Sequence, residues 1–392
     1  MDRNVVVVYG SGASYASGYS VGIRIMGNPD QDVTIRPPMD REFFAAIDTE
    51  YIRQRYQALW HFKNLYIPEN VTVGLEELWS SVDLNHKHLT LDTYSWKQET
   101  EEYLSRYENK YPGCDLSDMA FDLFGRLDTS PGYNKYKFLG DCGRDFRRLI
   151  YDVYSQYVRP TNDNYYKILH NILAEKDLQV NGYVTFNYDC YLEDSLSETH
   201  MKYIDANTKT DDIQSLTYQS CPIVKLHGSL NWEESYDNKF HKVTYMSPPH
   251  QMEAQVEPFY GADPKWRQPA IIPPTIYKQE INDDSRINNH LSRAILQQWR
   301  AAITLLSMAD IIIIVGYSFP STDFHAKRIF QISNMIRKRN KKDNLTLIYC
   351  CGNKEEENNK QSLMSDLYGG NIVVKTFVGF ENVAATLGSM LT

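Results

Sequence analysis

Residues 4–9 read Asn-Val-Val-Val-Val-Tyr and are stopped by Gly10. A continuous apolar run of this kind, without alternation, marks a parallel strand buried on both faces. Comparable runs recur at residues 183–186, 223–226, 311–315, 345–349 and 372–377, several of them separated by helical pattern. Leu291, Ile295, Trp299, Ala302 and Leu306 repeat every three or four positions, predicting an amphipathic helix that packs on the sheet and leads into the 311–315 strand. The alternation predicts an α/β fold with a doubly wound, mostly parallel sheet.

From about Pro37 to Val180 the pattern changes. Beyond the short Val71-Thr-Val73, glycine-terminated β-branched runs give way to helical periodicity, so this stretch reads as a helical insertion. Phe43, Phe44, Ile47, Tyr51 and Leu59 form one stripe, for which Asp40 is the expected N-cap and Glu42 suits the positive helix end. Leu75, Leu78, Trp79 and Val82 form a second, and further helical pattern covers residues 146–157 and 165–175, whose tyrosines suit a core or a partner surface. Seven prolines between positions 248 and 274 predict a long loop near the site over residues 235–278. Arg337, Lys338 and Arg339, with Lys341 and Lys342, end a helical stretch as a solvated, dipole-complementing run or as a phosphate or partner contact.

Composition removes several classes of function. A net charge of -9 and a pI near 5.6 give the 392-residue chain no electrostatic reason to bind nucleic acid by itself. Its apolar runs are far shorter than the roughly 20 residues of a membrane helix, and Gly10, Ser11 and Gly12 interrupt the N-terminal run too early for a secretory signal. A cytoplasmic protein without membrane spans is expected. The cysteines at 114, 142, 190, 221, 350 and 351 show no two-residue zinc spacing, so no metal and no structural zinc is expected; Cys350 and Cys351 read as small buried hydrophobes.

Four short motifs follow apolar runs, where sheet loops bind ligands. Gly10-Ser-Gly-Ala-Ser14 is either a plain tight turn or a loop whose amides and hydroxyls approach a pyrophosphate; Tyr15 stands where the dehydrogenase fingerprint requires glycine. Thr185-Phe-Asn-Tyr-Asp189 is either a capping turn or a sugar site, with Asn187 able to fix hydroxyls or water and Asp189 to accept from a hydroxyl. Lys225-Leu-His-Gly-Ser229 sets His227 at a strand end as a general base or a structural histidine; an unperturbed pKa near about 6.5 suits a base at neutral pH. Gly316-Tyr-Ser-Phe-Pro320 offers Gly316 and Ser318 to a phosphate or ribose, and Asp323 reads as an N-cap in preference to a site residue.

Together these motifs resemble the sirtuin superfamily, and most of all its bacterial antiphage-defence branch, the sirtuin subunit of HerA-associated systems in particular. The resemblance runs from Val5 to about Val383 and implies a Rossmann-like NAD-binding domain at residues 1–36 and 181–392, with the helical insertion at 37–180. It implies NAD+ as substrate, Asn187 and His227 as catalytic residues, and Gly10, Ser11, Gly12, Ser14, Asp189, Gly316, Ser318, Gly352 and Asn353 as binding residues. Without the paired-cysteine zinc module, and with the insertion in the way of an acyl-lysine groove, water becomes the expected acceptor. The implied activity is a gated NAD+ hydrolase that releases nicotinamide and ADP-ribose in antiphage defence, homo-oligomeric and controlled by a HerA-type ATPase or a prokaryotic Argonaute. Its rivals are a deacylase or ADP-ribosyltransferase, and an NAD- or ADP-ribose-binding subunit of a DNA-processing complex.

Overall fold

The computed structural model describes residues 3–23, 33–66, 72–88, 134–155, 157–158, 160, 164–196, 201–204, 208–237, 240–245, 266–272, 290–320, 323–342, 344–368 and 372–391. Thirteen strands lie among them: β1 (Val5–Tyr9), β2 (Ser20–Ile23), β3 (Val33–Ile35), β4 (Tyr157–Val158), β5 (Val180–Thr185), β6 (Met201–Tyr203) and β7 (Cys221–Lys225), then β8 (Gly228–Asp237), β9 (Phe240–Tyr245), β10 (Trp266–Ile271), β11 (Ile311–Val315), β12 (Leu345–Cys351) and β13 (Ile372–Val378).

Seven strands form the central sheet in the order β13-β12-β11-β1-β5-β7-β6, and every neighbouring pair is parallel. This is the Rossmann-like arrangement the apolar runs predict. The chain builds outward from β1 first toward β5 and β7 and later toward β11 and β12. The strand order therefore switches direction at β1, and a crevice opens beyond its C-terminal end. Three of the four motifs follow β1 or its two neighbours; the histidine motif follows β7, one strand further out.

Alternation along each strand feeds two cores. Val5, Val7 and Tyr9 face one buried cluster together with Ile311, Ile313 and Val315, while Val6 and Val8 face the other with Ile312 and Ile314. The first cluster continues into the insertion through Phe43, Phe44, Leu59, Trp79, Phe146 and Leu149. The second is closed by helices His290–Met308, Phe324–Arg339 and Lys354–Tyr368. Leu291, Ile295, Ala302 and Leu306 are buried as their spacing predicts, and the Trp299 indole donates at 2.8 Å to the Leu226 carbonyl, tying the helix to the histidine loop.

Several expectations need correction. The helical pattern over 146–157 ends with helix Asn134–Tyr154; Tyr157 instead enters β4, which pairs antiparallel with β2, because its ring packs against Tyr19 and Tyr191. Val71 lies outside the described residues and Thr72 and Val73 form no strand. The proline-rich stretch contains regular structure: β8, β9 and β10 make an antiparallel sheet in the order β10-β8-β9. Pro269 is accommodated in β10, an outer strand, where the register shifts between Pro269 and Ala270. Residues 246–265 and 273–289, with the remaining prolines, lie outside the described residues. Asp40 does not cap the helix that follows it, since Met39 occupies that position; its Oδ1 accepts from the Glu76 amide at 2.8 Å, at the start of helix Leu75–His88.

The basic run is only partly solvated. Arg337 is buried and donates to the carbonyls of Ser307, Ala309 and Asn344, and Lys342 pairs with Asp310 at 2.9 Å. These cations serve the C-terminal end of the neighbouring helix His290–Met308, where carbonyls are left over. Cys350 and Cys351 are buried in β12, and burial pushes the Cys351 thiol up to about 11. No helix among the described residues is long and apolar enough to cross a membrane.

Candidate active site

The loops after β1 and β11 cross backbone to backbone. Gly10 N–H donates to the Val315 carbonyl at 3.0 Å and Gly12 N–H to the Gly316 carbonyl at 2.9 Å. Gly316 adopts φ +65°, and a Cβ there would stand 2.1 Å from the Ala13 nitrogen, so the crossing requires glycine. The crossing takes amides away from the expected cradle. The amides of Gly10 and Gly12 are already donated, and that of Ala13 bonds the Gly10 carbonyl at 3.0 Å. What the loop offers the cleft is side chains: Ser11 and Ser14 both line it.

Asn187 is locked by its amide group. Its Nδ2 donates to the Gly10 carbonyl at 3.0 Å and to Ser14 Oγ at 2.8 Å, and its backbone N–H is bonded to Thr185 Oγ1 at 3.1 Å. Because the Gly10 carbonyl only accepts, the nitrogen must face it, which turns Oδ1 the other way as an acceptor. Ser14 is the hub of the network. It donates to Asp189 Oδ2 at 2.7 Å and so receives the Asn187 amide and the Tyr166 hydroxyl, the latter at 3.1 Å.

Asp189 is buried and also accepts from the Tyr191 amide at 3.1 Å. Burial raises its carboxyl to about 6, against the lowering pull of Lys225, the Ser14 hydroxyl and the Tyr191 amide. Beneath it Lys225 is fully buried, bonded to the Asp189 carbonyl and paired with Glu193 at 2.8 Å. Burial is the largest influence and opposes the Lys225 charge, but Glu193, Cys190 and Asp189 together outweigh it and the ammonium is held. Tyr203 extends this network by donating to Glu193 at 2.9 Å while accepting from Asn231 at 2.7 Å.

His227 sits between the two sheets. Gly228, at φ +81°, makes the turn out of β7; a Cβ on it would lie 2.0 Å from the Ala270 carbonyl oxygen. The His227 carbonyl accepts from Ile272 at 2.9 Å, so β10 pins the turn from the other side. The ring lies 5.7 Å from Phe186 and 6.0 Å from Tyr188, and Nε2 is 3.8 Å from Asp323 Oδ2. Asp323 caps helix Phe324–Arg339 as its spacing suggests, through Oδ1, and its other oxygen accepts from the Tyr317 hydroxyl at 2.7 Å. Tyr317 stacks on Phe186 with centroids 3.7 Å apart.

These groups meet in a cleft of about 170 Å³. The sheet side contributes Ser11, Ser14, Asn187, Asp189, His227 and Ser318. Gly10, Gly12 and Gly316 support this lining from behind. Gly352 and Asn353 do not join it: Asn353 Oδ1 accepts from the Glu356 amide at 3.0 Å, and Glu356 in turn bonds the Gly352 amide at 3.3 Å. This reciprocal pair caps the exposed start of helix Lys354–Tyr368. The opposite wall went unread in the sequence. Pro37, Pro38, Asp40, Leu75, Glu76 and Tyr154 of the insertion close the cleft, with Tyr154 donating to the Pro38 carbonyl at 2.5 Å. Pairs of this kind, far apart in the chain, carry no spacing signal.

Exposed hydroxyls, an amide oxygen and an imidazole around one crevice are the donor set for a sugar and its phosphates. Among the described residues no group of three or more His, Cys, Asp or Glu is placed to hold a metal ion. No curated protein matches the chain. SIR2-like domains take NAD+ as substrate, which accords with that donor set. Residues 181–366 match the family model of the SIR2-like domain, so the chain is sirtuin-like over a span holding the Asn187, His227 and Ser318 loops but neither the loop at 10–14 nor any of the insertion at 37–180.

Proposed function

We propose that the protein hydrolyses NAD+ to nicotinamide and ADP-ribose, with water as the acceptor. One observation carries this reading: Asn187 and His227, from loops after different strands, line the same cleft, with Asn187 fixed so that only its acceptor oxygen is free to turn toward a ligand. Bound there, NAD+ supplies the labile bond between ribose and nicotinamide. Asn187 Oδ1 holds a ribose hydroxyl or the attacking water, and His227 takes the proton. Ser11 and Ser318 receive the more distant hydroxyls and phosphates. Asp40, Leu75, Glu76 and Tyr154 stand across the cleft from the sheet side, and a wall in that position favours water over an acyl-lysine.

A free-running NAD+ hydrolase would exhaust its host. We therefore propose a gated effector in antiphage defence, assembled as a homo-oligomer through the insertion and released by a separately encoded ATPase or Argonaute partner. Nicotinamide release by purified protein, with and without lysate from phage-infected cells, tests both steps. Asn187→Ala and His227→Ala should each lower turnover by at least about 100-fold while the fold survives. Undiminished turnover in a folded His227→Ala protein would sink the mechanism. NAD+ binding without release would leave a binding subunit.

A further inference from the structure

Asp323 has more carboxylate than its helix cap uses. Oδ1 alone accepts from Ala326 N–H at 3.2 Å, a task that Asn or Ser performs as well. Oδ2 faces inward, 2.7 Å from the Tyr317 hydroxyl and 3.8 Å from His227 Nε2. All three side chains are buried, with Asp323 3%, His227 4% and Tyr317 7% exposed. A buried carboxylate is costly unless charge or hydrogen bonds compensate it, and the imidazole is a group beside it that can become a cation.

We infer that Asp323 is the positioning residue of His227: Oδ2 orients the imidazole and stabilises its protonated form, in competition with the Tyr317 hydroxyl for the same oxygen. The role rests on the hydrolase reading, in which His227 collects a proton during each turnover and must carry it for part of the cycle. At 3.8 Å the contact is an ion-pair distance and not a hydrogen bond, whereas the phenol holds Oδ2 at hydrogen-bond length. Burial, reinforced by Asp323, raises the Tyr317 phenol well above its ordinary value, so it stays a neutral donor. A small shift of the His227 ring toward Oδ2 would complete the bond when the ring gains its proton.

Other groups also face the imidazole. Tyr188 lies against the ring from the loop after β5, and Asp189 lines the same cleft from that loop. Asp40 and Glu76 line the cleft from the insertion, and Tyr317 from the loop after β11. Lys225, two residues before His227, is turned to Glu193 and the Asp189 carbonyl. The carboxylates all favour the imidazolium, so the share of Asp323 is read as a difference between variants.

The test follows the His227 ring by NMR across pH in the full chain, with its signal assigned among the ten histidines by loss in His227→Gln. Asp323→Asn keeps the cap and removes the charge; the imidazole midpoint should fall by about one pH unit. Tyr317→Phe releases Oδ2 and should move the midpoint the other way. In nicotinamide release, the acid limb of the Asp323→Asn profile should follow the ring, with kcat about tenfold lower and KM little changed. An unmoved midpoint in Asp323→Asn overturns the inference, and so do shifts of the same sign in both variants, which indicate general repacking. Should Asp323→Asn fail to fold, the rise in Tyr317→Phe still decides. Opposite shifts in a protein that releases no nicotinamide would uphold the positioning and remove the hydrolase reading alone.

Discussion

Around Asn187 the polar groups are bonded to one another at 2.7 to 3.1 Å, whereas His227 lies against aromatic rings and pairs with the Asp323 carboxylate at 3.8 Å. Both halves are buried, so exposure does not explain the difference. On the asparagine side each bond fixes the next: Tyr166 and Asn187 donate to Ser14, which donates to Asp189. On the histidine side Phe186 and Tyr188 lie against the ring, and Tyr317 stacks on Phe186 behind it. A hydrogen-bonded network sets an acceptor in place before substrate arrives. A ring that must gain and lose a proton is better served by a neighbour it can approach.

The sharpest way to break both halves at once is Gly316→Ala. This residue carries the crossing that supports the loop at 10–14 and leads directly into Tyr317, and its new Cβ would meet backbone at 2.1 Å. Left-handed strain and forced backbone separation together cost roughly 3–5 kcal/mol. Denaturant unfolding should show a midpoint lowered accordingly. A variant as stable as the wild type would mean that the loops are not held together by this crossing.

Asp189 distinguishes the halves through pH. Its carboxyl is raised by burial from 3.8 to about 6, so in the window between those values the native state binds more proton than the unfolded chain. Its contribution to stability is therefore fully present below about pH 4 and is lost as pH rises through about 6, a swing of about 3 kcal/mol. Unfolding at pH 4 and pH 8 for wild type and Asp189→Asn should isolate that swing, which disappears in the variant. The same slope in both proteins would place the titration elsewhere.

What could be read in the chain follows from what is local. Residues 311–315 declare a strand because burial on both faces demands continuous apolar length, and parallel strands gather their following loops at one edge. Asn187, His227, Ser14 and Ser318 therefore pointed to one place. The function of Gly10 and Gly12 was not legible, because their amides bond the carbonyls of Val315 and Gly316, at the end of a strand about 300 residues away in the chain. Nor was the cleft's second wall. Tyr154 and Glu76 sit on helices whose stripes report only a buried face, not what that face is buried against. Asn353 is a ligand residue only by its place in the family resemblance, and no local pattern in the chain announces the bond its side chain makes to the Glu356 amide.

Asp40 gives the smallest and most local comparison, between that insertion wall and the sheet side. It lies a few residues ahead of one helix yet bonds the first turn of another, at Glu76, with a carboxyl raised by burial. Asp40→Ala should cost about 1 kcal/mol, and Asp40→Asn only a few tenths, since either oxygen-bearing side chain can accept from the Glu76 amide. The loss would fall on helix Leu75–His88, whose Leu75 and Glu76 line the cleft. Hydrogen exchange should therefore rise at the Glu76 amide in Asp40→Ala while the Asn187 and Tyr191 amides stay protected. Equal deprotection of both sites would mean that the insertion wall and the asparagine network form one cooperative unit, and that the insertion directly stabilises the groups on the sheet side.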